Sequence, residues 1–236
     1  MELAIDTATG TASIALSSQG KVLAELTWHA GQNHTAELMP NLTNLLHRSG
    51  VTVKELSALI VAKGPGSFNG LRVGVSTAKG LAFALGIPVV GISTLEVIAY
   101  PYAVTAQPVC PILGAGRGEI AAALFQRRRG SWQQLFEEQI TTVELLVSRI
   151  KGKTIFCGEI SPEVASEIKE RLGKSALIAD GAAGLRRAGY LAELGWHRLK
   201  EGDTDDPATL QPLYLRKPAI TTPRSGRLGM PEGKQE

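Results

Sequence analysis

Asp6-Thr7, closing the apolar run Leu3-Ala4-Ile5, is the first place in this chain where chemistry could sit. A carboxylate and a hydroxyl at the turn after a strand could hold magnesium and the first phosphate of a nucleotide. The same Asp can equally cap its own turn through the backbone. A second place is Gly64-Pro65-Gly66, which follows the apolar run Ala58–Ala62. A Gly-x-Gly turn between strand and helix invites a phosphate-loop reading, but a Walker A loop needs a Gly-Lys-Ser/Thr end and none follows. A dinucleotide fingerprint needs its third glycine where Asn69 stands, with Gly70 one residue further on. Pro65 also removes one N–H that could face a phosphate. The turn is therefore expected to be structural. Asp180-Gly181 is the one candidate for a matching contact later in the chain, and a surface turn explains it as well.

The four histidines offer no metal site. His29 and His34 are five residues apart, which no single helical face presents together. His47 and His197 lack Cys, Asp or His at ligand spacing. There is no Gly-x-Ser-x-Gly nucleophile elbow and no cysteine with a motif partner.

The elements that would position these residues follow from apolar periodicity. Strands are expected at 2–7, 12–16 and 22–28, with Ser18-Gln19-Gly20 as a hairpin turn. A helix is expected over 35–49, with Leu38, Leu42, Leu45 and Leu46 on its apolar side and Pro40 either kinking it or delaying its start. Strand 58–62, the glycine turn, a helix over 71–85, strand 88–92 and a short helix from Thr94 come next. The helix 71–85 carries only Arg72 and Lys79, seven residues apart, and Ser67 or Asn69 can cap it. A helix apolar all round must be covered all round. Its Gly74 and Gly80 would each cost about 1 kcal/mol against Ala, so close approach of another backbone is expected there. Past Pro101 come strands at 109–113, 120–126 and 135–140, then helices at 142–150, 162–172 and 184–200. Mixed strands with helical cover predict an α/β fold of two lobes, 1–100 and 101–216, the second smaller.

Charged residues at 20% and hydrophobic residues at 44% are ordinary for a globular protein. The net charge of +3 sits entirely in residues 216–236, so the rest of the chain is neutral and lacks a basic nucleic-acid footprint. Residues 217–236 have no apolar periodicity and are expected to be disordered. Arg127-Arg128-Arg129 is expected at a solvated hairpin tip. Cys110 and Cys157 lie among apolar residues, as buried free thiols of a reducing compartment would. With no apolar run of membrane-spanning length and no signal peptide, a cytoplasmic location is expected and no membrane partner.

The run Gly64-Pro65-Gly66-Ser67-Phe68-Asn69-Gly70-Leu71-Arg72, continuing through Gly74 to Ala78-Lys79-Gly80-Leu81-Ala82, resembles the signature of the TsaB (YeaZ) family. Leu3–Thr9, His34-Thr35 and Pro212-Leu213-Tyr214-Leu215-Arg216 match in order and spacing. The resemblance covers roughly residues 1 to 216. It implies a two-lobed actin-like ATPase (ribonuclease H-like) fold with the second lobe abbreviated. It also implies a role in adding threonylcarbamoyl to N6 of adenosine 37 in tRNAs reading ANN codons, as a non-catalytic subunit. The catalytic paralogue, the TsaD (Kae1-type) subunit, has a His-x-x-x-His metal pair where this chain has Thr94 and Ile98. A departure within the family pattern is Gly114-Ala115-Gly116, which lacks the Asp, the first Arg and the Tyr that usually surround Arg117-Gly118-Glu119.

The resemblance implies a homodimer alone and, in the working complex, a heterodimer with the TsaD-type subunit alongside a TsaE-type ATPase, with tRNA met only through the complex. ATP and a metal would be used on the partner subunits. This chain is expected to bind no metal and no firmly held cofactor, with weak nucleotide binding at Asp6 and Thr7 left open. The expected partner interface is Leu38, Leu42, Leu45, Leu71, Gly74, Val75, Ala78 and Leu81. A small actin-like kinase or ATPase is the alternative, and an M22-type metallopeptidase the next; the first needs phosphate loops in both lobes, the second ligands the chain lacks.

Overall fold

The computed structural model describes residues 1–179 and 181–216. Asp180 and the tail 217–236 lie outside the described residues. The first sheet is built from β1 (Glu2–Asp6), β2 (Thr11–Ser18), β3 (Lys21–His29), β4 (Ala58–Gly64) and β5 (Val89–Ser93), in the order β3-β2-β1-β4-β5. β1 runs antiparallel to β2 and parallel to β4. The second sheet repeats this order with β6 (Val109–Gly116), β7 (Glu119–Arg128), β8 (Ser131–Thr141), β9 (Thr154–Gly158) and β10 (Ala176–Ile178), arranged β10-β9-β6-β7-β8. The fold is the expected α/β, two-lobed actin-like type. Abbreviation of the second lobe lies in its helices: α4 (Val143–Val147) and α5 (Pro162–Leu172) have 5 and 11 residues, against 15 and 18 in α1 (His34–Arg48) and α2 (Phe68–Leu85).

Alternation sends Leu3 and Ile5 of β1 to one face and Ala4 to the other. On the large-residue face Leu38 and Leu42 of α1 and Val75 and Ala78 of α2 complete the core. The other face, with Ala4, Ala15, Ile60 and Val90, is covered by α6 (Ala188–Lys200) through Leu191, Ala192 and Leu194. Small residues bring this last helix close: a Cβ on Gly195 would collide with the Ile60 side chain. The last helix, expected in the second lobe, therefore belongs to the first sheet. The short α3 (Thr94–Ala99) makes the opposite crossing, and Leu95, Ile98 and Ala99 pack on the second sheet against Val109, Ala123 and Phe125. The other face of that sheet is covered by α4 and α5, through Leu146 and Ile168.

Three further points differ from the sequence pattern. β9 and β10 occupy a stretch where no strand is expected; at five and three residues they are too short to show a period. α1 begins at His34, so Pro40 lies inside it. The carbonyl left without a partner by Pro40 is that of Ala36, and both residues are exposed, so water can satisfy it. Cys110 and Cys157 are buried free thiols, as expected, on opposite faces of the second sheet; burial raises both thiol pKa values.

A cleft of about 450 Å³ between the lobes is lined by Lys63, Glu96, Glu137, Glu138 and Arg198. Burial pushes the Glu96 carboxyl up, and the neighbouring Glu138 adds to the shift; burial also raises Glu138. A carboxyl raised in the folded state stabilises fully below the ordinary value of about 4.3 and loses that contribution as pH rises through the shifted value. Glu96→Gln should therefore melt above the wild type at pH 7, and the gap should close toward pH 4. Melts at a series of pH values check this; a gap that stays constant would show that Glu96 is ionised without penalty.

The glycines of α2 give a second expectation. Gly70→Ala places a methyl group on the Thr7 carbonyl oxygen, whereas Gly80 faces open space. Overpacking of this kind costs about 1–3 kcal/mol or more, and a main-chain oxygen gives way poorly. Gly80→Ala should instead be neutral or stabilise by up to about 1 kcal/mol through helix propensity. Urea denaturation of both variants separates the two effects.

Candidate functional site

The glycine turn is built onto the end of β1. β4 stops at Gly64, whose φ of 119° is in the left-handed region, and the Gly64–Pro65 bond is cis. A Cβ at Gly64 would come within 2.6 Å of the Leu213 carbonyl oxygen. Leu213 N–H donates to the Lys63 carbonyl at 2.6 Å, which holds the Pro212–Arg216 segment against this turn. Ser67 caps α2 by accepting from Gly70 N–H at 3.1 Å, and its own N–H donates to the Ala8 carbonyl at 2.7 Å.

Gly66 precedes the helix, and Gly70 and Gly74, four residues apart, share one face of it. Side chains there would overlap the Ala8 carbonyl oxygen, the Thr7 carbonyl oxygen and the Thr7 hydroxyl, respectively. Thr7 fixes the contact by donating its hydroxyl to the Gly70 carbonyl at 2.7 Å. The motif therefore seats a helix on the Thr7-Ala8 turn, and the N–H groups of Ser67 and Gly70 are already engaged. A backbone was expected to approach Gly74, but what faces it is the Thr7 side chain of this same chain, just after β1. Phe68 and Arg72 lie at the rim: the Arg72 guanidinium sits 3.9 Å above the Phe68 ring, and Tyr214 lies 5.2 Å from it.

Asp6 and Thr7 are not presented to an incoming phosphate. Asp6 is fully buried, accepts from Ala8 N–H at 3.0 Å and pairs with Arg186 at 2.5 Å; Thr7 is 1% exposed. Nothing in the sequence marks Arg186 as the partner of Asp6. Glu159 and Thr9 complete the group and are equally silent in sequence: Arg186 lies 3.6 Å from the Glu159 carboxylate, to which the Thr9 hydroxyl donates. His34 is also structural, buried with its Nε2 2.8 Å from the Thr9 carbonyl. Thr94, the first residue of α3, and Ile98, near its end, are both buried. Among the described residues no group of three or more His, Cys, Asp or Glu side chains could hold a metal ion.

The expected interface residues need correction. Leu38, Leu42, Leu45, Leu71, Gly74, Val75 and Ala78 are all buried in this chain alone, and Leu81 is half-buried against the same core. They are apolar because the first sheet takes them. The outward sides of α1 and α2 carry other residues: Ala36, Met39 and Thr43 on α1, and Ser76, Gly80 and Phe83 on α2. Phe83 is 86% exposed. Lys79 is drawn away from this side and donates to the Leu210 carbonyl at 2.9 Å.

Among the described residues no helix is long and apolar enough to cross a membrane. A family model described as TsaD, tRNA N6-adenosine threonylcarbamoyltransferase, matches residues 22–223. The chain is 34% identical to the tRNA threonylcarbamoyladenosine biosynthesis protein TsaB of Bacillus subtilis, over 91% of this chain and 93% of that one. It is 30% identical to the protein of the same name in Escherichia coli, over 91% and 94%. Among solved structures, YeaZ from Pseudomonas aeruginosa superposes with a TM-score of 0.75 at 26% identity, covering 91% of this chain and 99% of that one. The family model and the two relatives each span most of the chain, and the chain belongs to the TsaB family.

Proposed function

We propose that this chain is the non-catalytic subunit of the complex that adds threonylcarbamoyl to N6 of adenosine 37 in tRNA. It stabilises and positions a TsaD-type catalytic paralogue by pairing through the outward sides of α1 and α2. The observation that carries the proposal is the outer side of α2 beyond Arg72, where Ser76 is exposed, Gly80 has nothing within 4 Å of its missing Cβ and Phe83 stands almost fully exposed. An apolar face with a small residue at its centre suits close packing of a second helix pair. Two copies meet this way in a homodimer with two-fold symmetry, and the paralogue replaces one copy in the working complex. A TsaE-type ATPase acts in the same assembly, in the cytoplasm; ATP and the catalytic metal are used on the partner subunits, and tRNA is met through the complex. Absence of a catalytic role here is supported by Thr94 and Ile98, neither of which replaces a ligating imidazole. A kinase reading is disfavoured by Asp6, whose carboxylate faces Arg186 rather than an open cleft.

Gly80→Arg should leave the melting temperature within a few degrees of the wild type, because the site is open, yet abolish pairing. Sedimentation of the variant alone and with the catalytic paralogue tests this; an unchanged dimer and an intact complex would move the interface elsewhere. Gly74→Arg is not a substitute, since it would drive a side chain into Thr7 and unfold the first lobe. A second expectation is that the isolated chain transfers no threonylcarbamoyl group to tRNA and gains that activity only with the paralogue present. Activity of the isolated chain that co-elutes with bound zinc or iron would reverse the assignment.

A further inference from the structure

Between the lobes lies a cluster of buried charge that the pairing surface does not use. The Arg186 side chain is 4% exposed and comes from the segment just before α6. Its Nε donates to Asp6 Oδ2 at 2.5 Å, and its Nη2 donates to Thr9 Oγ1 at 3.2 Å and to the Thr11 carbonyl at 2.9 Å. Its Nη1 lies 3.6 Å from Glu159 Oε1, and the Thr9 hydroxyl donates to that same oxygen. Asp6, Thr9 and Thr11 belong to the β1–β2 turn of the first sheet, whereas Glu159 follows β9 of the second. One guanidinium thus gathers oxygens from both sheets, including two carboxylates.

We propose that Asp6, Thr9, Thr11 and Glu159 form a cation site joining the two lobes, and that its resident cation is the guanidinium of Arg186, supplied by the chain itself. Two carboxylates this close, one of them fully buried, require a compensating positive charge. An arginine suits the task because its planar fork meets several oxygens at once and keeps its charge when buried. The site holds the lobes closed without any ligand. It also fixes the position of Asp6, and with it the Thr7-Ala8 ledge on which α2 rests. The Glu159 side chain is 49% exposed, and the cluster borders a cleft of about 690 Å³ lined also by Ser161, Lys169 and Leu185. Of the group only Glu159 lines that cleft, so a soluble cation would enter past Glu159 into the space left when Arg186 is shortened.

Chemical rescue of Arg186→Ala tests the proposal. Loss of one partner of a buried pair should lower the melting temperature by on the order of 10 °C for a chain of this length. Millimolar methylguanidinium chloride should restore at least half of that loss in a saturable way, sodium chloride of equal ionic strength should not, and the wild type should not respond. An unchanged melting temperature, rescue by sodium chloride alone or no rescue by methylguanidinium would overturn it. Should the alanine variant fail to fold, Glu159→Gln carries the same question, because Glu159 is half exposed and its neutral form keeps its shape. In that variant the amides of Thr9, Gly10 and Ile160 should exchange about tenfold faster than in the wild type. Unchanged protection would mean that Glu159 does not join the lobes, and the proposal would fail.

Discussion

The first lobe hangs on the contact between the Thr7-Ala8 turn and the glycine face of α2. Gly66 just before the helix and Gly70 and Gly74 within it leave a groove, and the Thr7-Ala8 turn after β1 lies in it. No side chain can substitute there, since the facing atoms are two main-chain carbonyls and a hydroxyl already bonded to Gly70. Because α2 is held so close, its inner residues reach Leu3 and Ile5, and its outer side is carried clear of the sheet. The conspicuous sequence motif is thus a structural joint, and the surface it lifts outward holds few conspicuous residues.

The same joint appears twice in simplified form. In each lobe a strand ends in a glycine with φ above 100°, and a serine three residues later caps the following helix: Gly64 with Ser67, and Gly158 with Ser161. Both glycines press on a main-chain oxygen, that of Leu213 in the first lobe and Ile112 in the second. The intervening residues differ. Pro65-Gly66 lets the first helix descend onto β1, whereas Glu159-Ile160 sends a carboxylate toward Arg186. One turn geometry thus serves two uses, a helix seat on one side and a charged contact between lobes on the other.

Strands with several alternating apolar residues, the Ser67 cap and the structural nature of the glycine turn were legible from residue types and spacing. Direction was not legible. Gly74 and Gly80 look alike in sequence, yet one abuts Thr7 and the other faces nothing. Apolar residues such as Leu38 and Val75 mark the side a core takes, so choosing an interface by apolarity picks out the buried side. The outer side is marked only by missing charge at Ala36, Thr43 and Ser76. Arg186 was hidden for a different reason: its partner Asp6 is 180 residues away, and a single arginine before a helix carries no spacing signal.

The exchange of helices between the sheets governs how the molecule can be made. The first sheet is complete in strands at Ser93, but its alanine-lined face stays bare until α6, which starts at Ala188, has been synthesised. At ribosomal rates this interval of about ninety residues lasts roughly 5 to 20 s. Throughout it Ala4, Ala15 and Val90 lack their cover, while α3 is already committed to a sheet that does not yet exist. The two lobes are therefore not successive folding units. Each sheet takes a helix from the other half of the sequence, and α6 is the last helix among the described residues to find its place.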